Sequence, residues 1–142
     1  MDFRKLLGFK TIYGPAISVG VRDMERAVAW YCDKLELDHE PKRTDVSEVK
    51  IGYPGGEFDL VPLILLVKIP EGHSNVYAGC HPVIFTRRLK EVHEKLASNG
   101  IAVGAIEQDS AGNSFFRFVD CEGNQIEICL EPGLQLRSGV NR

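Results

Sequence analysis

The sequence predicts a domain of the α+β class in which a β-α-β-β-β module occurs twice. The length of 142 residues is that of one ordinary domain, so we expect residues 1–142 to form a single unit. A strand followed by a helix occurs in each half, and a shift of 65 residues places Asp23 on Arg88 and Ala16 on His81. Each half is too small to bury its own sheet face well, so the two modules are expected to join their sheets.

The first module, about residues 13–72, opens with a strand and a helix. From Ala16 to Val21, small residues alternate with β-branched residues, which predicts a strand with one packed face and one face that leaves space. Asp23 is a favourable helix N-cap, and apolar residues then recur at helical spacing, which predicts a helix from about Met24 to about Leu35.

The rest of the first module is less regular. A polar, poorly patterned stretch, Lys42 to Lys50, precedes a turn sequence at Tyr53 to Gly56. The apolar run Leu60 to Val67 then predicts a buried strand. The segment Ile69 to Gly79 is rich in Pro, Gly and small polar residues, which is typical of a loop that crosses between the two halves.

The second module, about residues 78–132, repeats this order. It begins with a predicted strand from His81 to Phe85 and a helix from about Arg87 to Asn99, which Gly100 closes as its C′ residue. The remaining predicted strands lie near Ile101–Ile106, Ser114–Val119 and Asn124–Leu130, and a tail of residues 133–142 follows.

Composition excludes several classes of protein. With 17 Lys+Arg against 20 Asp+Glu, the formal charge is −3, so the chain lacks the basic surface that nucleic-acid binding requires. The longest apolar run has eight residues, whereas a membrane-spanning helix needs about 20. The N-terminus does not resemble a secretory signal, and the four cysteines form no CxxC pair, so we expect reduced thiols and a cytoplasmic location.

Two short motifs resemble a known family. The opening pattern V-x-D-x-x-x-A-x-x-x-Y lies in ISVGVRDMERAVAWYCDKLEL, and the closing pattern F-x-D-x-x-G-N-x-I-E lies in FRFVDCEGNQIEI. Together they resemble the vicinal oxygen chelate superfamily, which includes glyoxalase I, extradiol dioxygenases and the fosfomycin- and bleomycin-resistance proteins. The resemblance extends from roughly Tyr13 to Pro132. It implies an open, curled mixed sheet, a small organic molecule or a metal on the concave face, and commonly a homodimer.

The resemblance also implies positions for metal ligands on the first and last strands of each module. In the second module these positions fall on His81 and Glu127, which we therefore consider as ligands of one divalent ion (Ni, Zn, Mn or Fe), with Glu127 also the candidate catalytic residue. In the first module they fall on Ala16 and on the apolar segment Leu63 to Leu65, which offer no donor. Half of the ligand set is therefore missing. Catalytic ions usually have three protein ligands, so the two that remain are too few to hold one firmly.

Two functions from different classes therefore remain open. One is a metal-dependent lyase or isomerase of glyoxalase type, with a third ligand from an unidentified donor; an oxygenase would need a histidine at position 16. The other is a metal-free protein that sequesters an apolar compound, with no cofactor. Candidates for the third donor are Cys129, Cys80, Asp59, Tyr13 and His73. The residues expected to line the cavity are Ala16, Ser18, Gly20, Val83, Phe85, Gln125 and Cys129.

Glu127 has two further interpretations that need no metal. A carboxylate on an inward face is costly unless it is paired, and an arginine such as Arg117 is a suitable partner. Alternatively, His81 and Glu127 act as acid and base, in which case desolvation is expected to raise the pKa of Glu127.

Overall fold

The computed structural model describes residues 16–41, 47–55 and 63–134. In the first module, strand β1 and helix α1 are followed by three further strands. Their bounds are β1 Ile17–Val21, α1 Met24–Lys34, β2 Asp38–His39, β3 Glu48–Gly52 and β4 Ile64–Lys68. The sheet order is β1-β4-β3-β2; β1 and β4 are parallel, and the other neighbours are antiparallel.

The second module has the same topology. Its elements are β5 Val83–Thr86, α2 Leu89–Ser98, β6 Glu107–Gln108, β7 Ser114–Val119 and β8 Gln125–Leu130. The sheet order β5-β8-β7-β6 reproduces the first, again with one parallel pair, β5 and β8. The predicted α+β class with two β-α-β-β-β modules is therefore confirmed.

The two helices of the described residues occur where the sequence predicts them but begin differently. The Asp23 carboxylate accepts a hydrogen bond from the Arg26 backbone N–H and so caps α1. Arg88, the N-cap of α2, makes no capping hydrogen bond with its side chain. Gly100 follows α2 with φ 87°, the left-handed conformation expected of a C′ glycine. Neither described helix has the length and apolar character needed to span a membrane.

One hydrophobic core includes residues from both modules. Met24, Ala27 and Tyr31 of α1 are buried in it, as the predicted apolar stripe of this helix requires. The helix-facing residues of both sheets complete the core, for example Val19, Val21, Ile51, Ile64, Leu66, Phe116, Phe118, Ile126 and Ile128.

Among the described residues, polar contacts join the modules at two places. Lys34 Nζ donates a hydrogen bond to the Asn99 carbonyl, and Asn99 Nδ2 donates one to the Lys34 carbonyl. The donor–acceptor distance is 3.0 Å in each. These two residues are 65 positions apart, so they are equivalent under the shift that relates the two modules. At the second place, the Tyr31 hydroxyl donates to Asp120 Oδ2 over 2.8 Å, and both residues are buried.

Three of the sequence predictions need correction or restriction. The polar stretch Lys42 to Lys50 contains the start of β3, a strand paired on both sides, which was not predicted. The predicted strand near Ile101–Ile106 is wrong: Ile101 donates to the Leu96 carbonyl at the end of α2, and Val103 donates to the Ile101 carbonyl. The Gly104 N–H makes one hydrogen bond to the Arg117 carbonyl on β7, but the regular ladder begins at β6. In the predicted strand Leu60 to Val67, regular pairing begins at Ile64, and residues 60–62 lie outside the described residues.

Candidate functional site

The second sheet turns one face to the core and the other to a concave cavity. On β8, Ile126 and Ile128 are buried on the helix side, and Glu127 lies between them on the opposite face. The cavity has a volume of about 380 Å³. It is lined by Val83, Phe85, Asp109, Asn113, Phe115, Arg117, Glu127, Cys129, Leu130 and Pro132.

Large apolar side chains are exposed on this concave face. Phe85 is 58% exposed and Val83 41% exposed, and both line the cavity. Val119, which lies two residues beyond Arg117 on the same face of β7, is also exposed. A cluster of exposed large apolar residues on one concave surface is typical of a site that binds a ligand or a partner.

Arg117 and Glu127 form an ion pair in this cavity. They are directly opposite each other on β7 and β8, and Arg117 Nε donates to Glu127 Oε2 over 2.9 Å. The guanidinium carbon of Arg117 lies 4.8 Å from the centroid of the Phe115 ring, a cation–π contact. The other carboxylate oxygen, Oε1, accepts a hydrogen bond from the Cys129 thiol over 3.0 Å. The side chain of Glu127 is only 12% exposed, against 49% for Arg117.

These contacts set the protonation states of Glu127 and Cys129. Burial by itself raises the pKa of Glu127, but the hydrogen bonds from Cys129 and Arg117 and the nearby positive charge outweigh it and lower the pKa below its ordinary value. The expectation of a raised pKa is therefore wrong, and Glu127 is ionised at neutral pH. Burial and the hydrogen bond to Glu127 raise the pKa of Cys129 to about 12, so this residue is a neutral thiol at neutral pH.

His81 lies beside this ion pair. Its Nε2 is 3.7 Å from Glu127 Oε2, and its side chain is partly exposed. Gln125 lies at the start of β8, opposite Val119 and exposed, and neither His81 nor Gln125 is among the residues that line the cavity.

The structure does not bring Ala16, Ser18 and Gly20 to the same cavity, because they belong to the first sheet. Their backbone lies at or next to β1, and every described residue that lines the cavity comes from the second module. Gly20 does face a crowded space: a side chain there would collide with the Asn75 amide and with Ile69. The small residue at position 20 thus leaves room for the crossing loop.

The donor set does not fit a catalytic divalent ion. Ser18 pairs with Leu65 as Val83 pairs with Glu127, so Leu65 occupies the position in the first sheet that corresponds to Glu127. Within the described ranges, no group of three His, Cys, Asp or Glu side chains could hold a metal. A guanidinium bonded to Glu127 also repels a cation at that carboxylate. Two suggested donors, Tyr13 and Asp59, lie outside the described residues.

Sequence reasoning missed part of the lining. Asp109 and Asn113 border the cavity from the turn that joins β6 and β7, where no sequence pattern predicted a site. The pairing of Arg117 with Glu127 had a signal in the sequence: the turn between Asp120 and Asn124 fixes the register of the β7–β8 hairpin, and counting outwards from it places these two residues opposite each other.

A second, larger space lies on the helix side of the first sheet. It has a volume of about 1000 Å³ and lies between α1 and strands β2 and β3. Among the described residues that border it there is no Phe, Tyr or Trp and no predicted site residue. Glu127, the candidate catalytic residue, lies at the concave cavity instead.

Comparison with protein-family models and with curated proteins found no match. Solved structures do match. A bleomycin-binding protein complexed with bleomycin has a TM-score of 0.65 at 15% identity, covering 83% of this chain and 98% of that one. The lactoylglutathione lyase from Agrobacterium tumefaciens has a TM-score of 0.63 at 16% identity, covering 84% and 95%. A glyoxylase/bleomycin resistance protein/dioxygenase domain from Frankia sp. EAN1pec has a TM-score of 0.61 at 19% identity, covering 85% and 93%.

These likenesses confirm the fold that the two sequence motifs predicted. The chain has the fold of these glyoxalase, bleomycin-resistance and dioxygenase structures. Because both a lyase and a binding protein have this fold, the fold leaves the function to be argued from the site.

Proposed function

We propose that this protein binds a small, mainly apolar organic molecule on the concave face of its second sheet, without a metal. The observation that carries the proposal is the pair of exposed apolar side chains, Val83 and Phe85, beside an ion pair in which Arg117 already engages Glu127. Leaving such apolar surface in water costs roughly 25 cal/mol per Å², so a ligand that covers it gains affinity. The bleomycin complex of a protein with this fold supports the same use of the fold.

The second candidate is the metal-dependent lyase or isomerase. The 3.7 Å separation of His81 Nε2 and Glu127 Oε2 favours it. The hydrogen bonds of Glu127 to Arg117 and Cys129 oppose it, because they occupy both carboxylate oxygens and lower the pKa, which makes Glu127 a weaker base. We therefore favour the binding protein.

We also propose that a second copy of the chain completes the cavity. The described lining comes from one module alone, so one side of the bound molecule would face solvent in a single chain. Val119, which is exposed on this face outside the cavity lining, is suitable for burial in a homodimer.

A neutral dye tests the binding function. Nile red, titrated into the full-length protein, is expected to give saturable fluorescence enhancement. Phe85→Ser should weaken its affinity about tenfold, or roughly 1.4 kcal/mol, because the largest exposed apolar surface of the cavity is lost. Val76→Ser is the matched control, since Val76 is 82% exposed and lies outside the cavity. Equal affinities for the wild type and both variants would contradict the proposed site.

Metal content tests the second candidate. Untagged protein, purified without chelators and then incubated with Ni, Mn, Fe(II) or Zn, should retain less than stoichiometric metal by mass spectrometry. Stoichiometric metal that His81→Ala abolishes would instead establish a metalloenzyme.

A further inference from the structure

We propose that the molecule bound in the concave cavity carries a carboxylate, which Arg117 binds through its two terminal nitrogen atoms. This inference rests on the proposed binding function and specifies the chemical class of the ligand: an apolar body with one anionic group.

The guanidinium of Arg117 is held in place before any ligand arrives. Its Nε donates to Glu127 Oε2 over 2.9 Å, and its planar group packs over the Phe115 ring. Two independent contacts therefore restrict the side chain, which lowers the entropy cost of binding. No described residue accepts a hydrogen bond from Nη1 or Nη2, and the side chain is half exposed in the cavity. The planar fork of these donors matches the two oxygens of a carboxylate.

Glu127 acts as a positioning residue for Arg117. One of its oxygens accepts from Arg117 and the other from Cys129, and the side chain is largely buried. Both oxygens of Glu127 therefore interact with neighbouring side chains rather than with the cavity. In contrast to Glu127, Arg117 retains open hydrogen-bonding capacity toward the cavity.

Asp109 is the group that could instead favour a cationic ligand. Its carboxylate accepts hydrogen bonds from the backbone N–H groups of Ala111 and Asn113 and from the Asn113 side-chain amide. These bonds, led by those from Asn113, lower the pKa of Asp109 and direct the carboxylate back to its own turn. The observations thus favour an anion at Arg117, and cation binding is an outcome that the test must distinguish.

The apolar lining fits a hydrocarbon body of modest size. Val83, Phe85, Leu130 and Pro132 border the same cavity of about 380 Å³. This volume is at the lower end of ordinary ligand pockets, which run from about 300 to 1,000 Å³, so a body of two fused rings is a suitable probe.

Three probes with the same apolar body separate the alternatives. They are 2-naphthoate, 2-naphthamide and 2-naphthylmethylammonium, titrated calorimetrically into the full-length protein at pH 7. We expect 2-naphthoate to bind at least tenfold more tightly than 2-naphthamide, and this preference to fall with added salt. Arg117→Gln should abolish the preference. Arg88→Gln, which removes the same charge outside the cavity, should retain it.

The role of Glu127 is tested by the ratio of the affinities for 2-naphthoate and 2-naphthamide rather than by either affinity alone. Glu127→Gln keeps an oxygen that accepts from Arg117 Nε, so the preference for 2-naphthoate should persist. Glu127→Ala removes the contact and should reduce the preference. A purely structural role would weaken all three probes equally and leave the ratio unchanged.

The remaining outcomes have distinct meanings. Tightest binding of 2-naphthylmethylammonium, or equal binding of all three probes by the wild type, would overturn the carboxylate inference and leave the binding function standing. Failure of the wild type to bind Nile red and all three probes would overturn both. Because the decisive comparison uses the wild type, it does not depend on whether a variant folds.

Discussion

At the scale of single residues, Asp120 organises the junction between the modules. Its Oδ1 accepts from the backbone N–H groups of Glu122 and Asn124, and its Oδ2 accepts from the Asn124 amide and the Tyr31 hydroxyl. Asn124 in turn donates to the Gly20 carbonyl on β1. One buried carboxylate thus fixes the β7–β8 turn and attaches it to the first module.

Replacing Tyr31 with Phe tests this junction. The substitution removes the hydroxyl that donates to Asp120 over 2.8 Å and leaves one hydrogen bond fewer at a buried carboxylate. We expect the free energy of unfolding to fall by about 1–3 kcal/mol. Urea denaturation monitored by circular dichroism measures it. Tyr53→Phe, at an exposed tyrosine, is the control and should change it by less than about 0.5 kcal/mol.

The difference in free energy of unfolding between the wild type and Tyr31→Phe is expected to depend on pH. Burial, and then the neighbouring Asp120, raise the pKa of Tyr31 above its ordinary value near 10. The unfolded chain therefore loses this proton first, and the stability that depends on the neutral phenol is retained below pH 10 and declines above it. The advantage of the wild type over Tyr31→Phe should shrink between pH 10 and 11; a constant difference would contradict the raised pKa.

At the scale of elements, the two helices offer a matched comparison. Asp23 and Arg88 occupy equivalent N-cap positions, 65 residues apart, but only Asp23 caps its helix through its side chain. Asp23→Ala should therefore lower the free energy of unfolding by about 1 kcal/mol. Arg88→Ala removes only an exposed ion pair with Glu91 and should cost less than about 0.5 kcal/mol. Equal losses in thermal or urea denaturation would show that the cap contributes nothing specific.

The elements also show why some sequence predictions failed. Both helices have caps or apolar periodicity within one stretch of chain, so local patterns predicted them. Strand β3 has only five residues, and the alternation of polar and apolar residues from Glu48 to Ile51 is too short to predict a strand by itself; its hydrogen bonds to β2 and β4 form only in the folded sheet. The apolar residues near Ile101 resemble a strand in sequence, but they close the end of α2 instead.

At the scale of the whole molecule, the half-open cavity predicts a dimer. Sedimentation equilibrium should give a mass of about twice the chain mass of 15.8 kDa. Val119→Asp places a charge on the concave face outside the cavity lining and should shift the protein toward monomer. Val76→Asp, at an exposed residue of the crossing loop, should leave the dimer intact. A wild type that stays monomeric at all concentrations would refute a cavity completed by a second copy.

The sequence by itself determined the repeated module, both helices and the face of the second sheet that carries Glu127, because turn chemistry and side-chain periodicity act between residues that are close along the chain. Only the tertiary structure decided that the first sheet contributes no described residue to the cavity. It also decided the lowered pKa of Glu127, which is a balance between burial and the partners that folding places around the carboxylate. Such a balance depends on distances between separate strands, and these distances are fixed only when the strands pair.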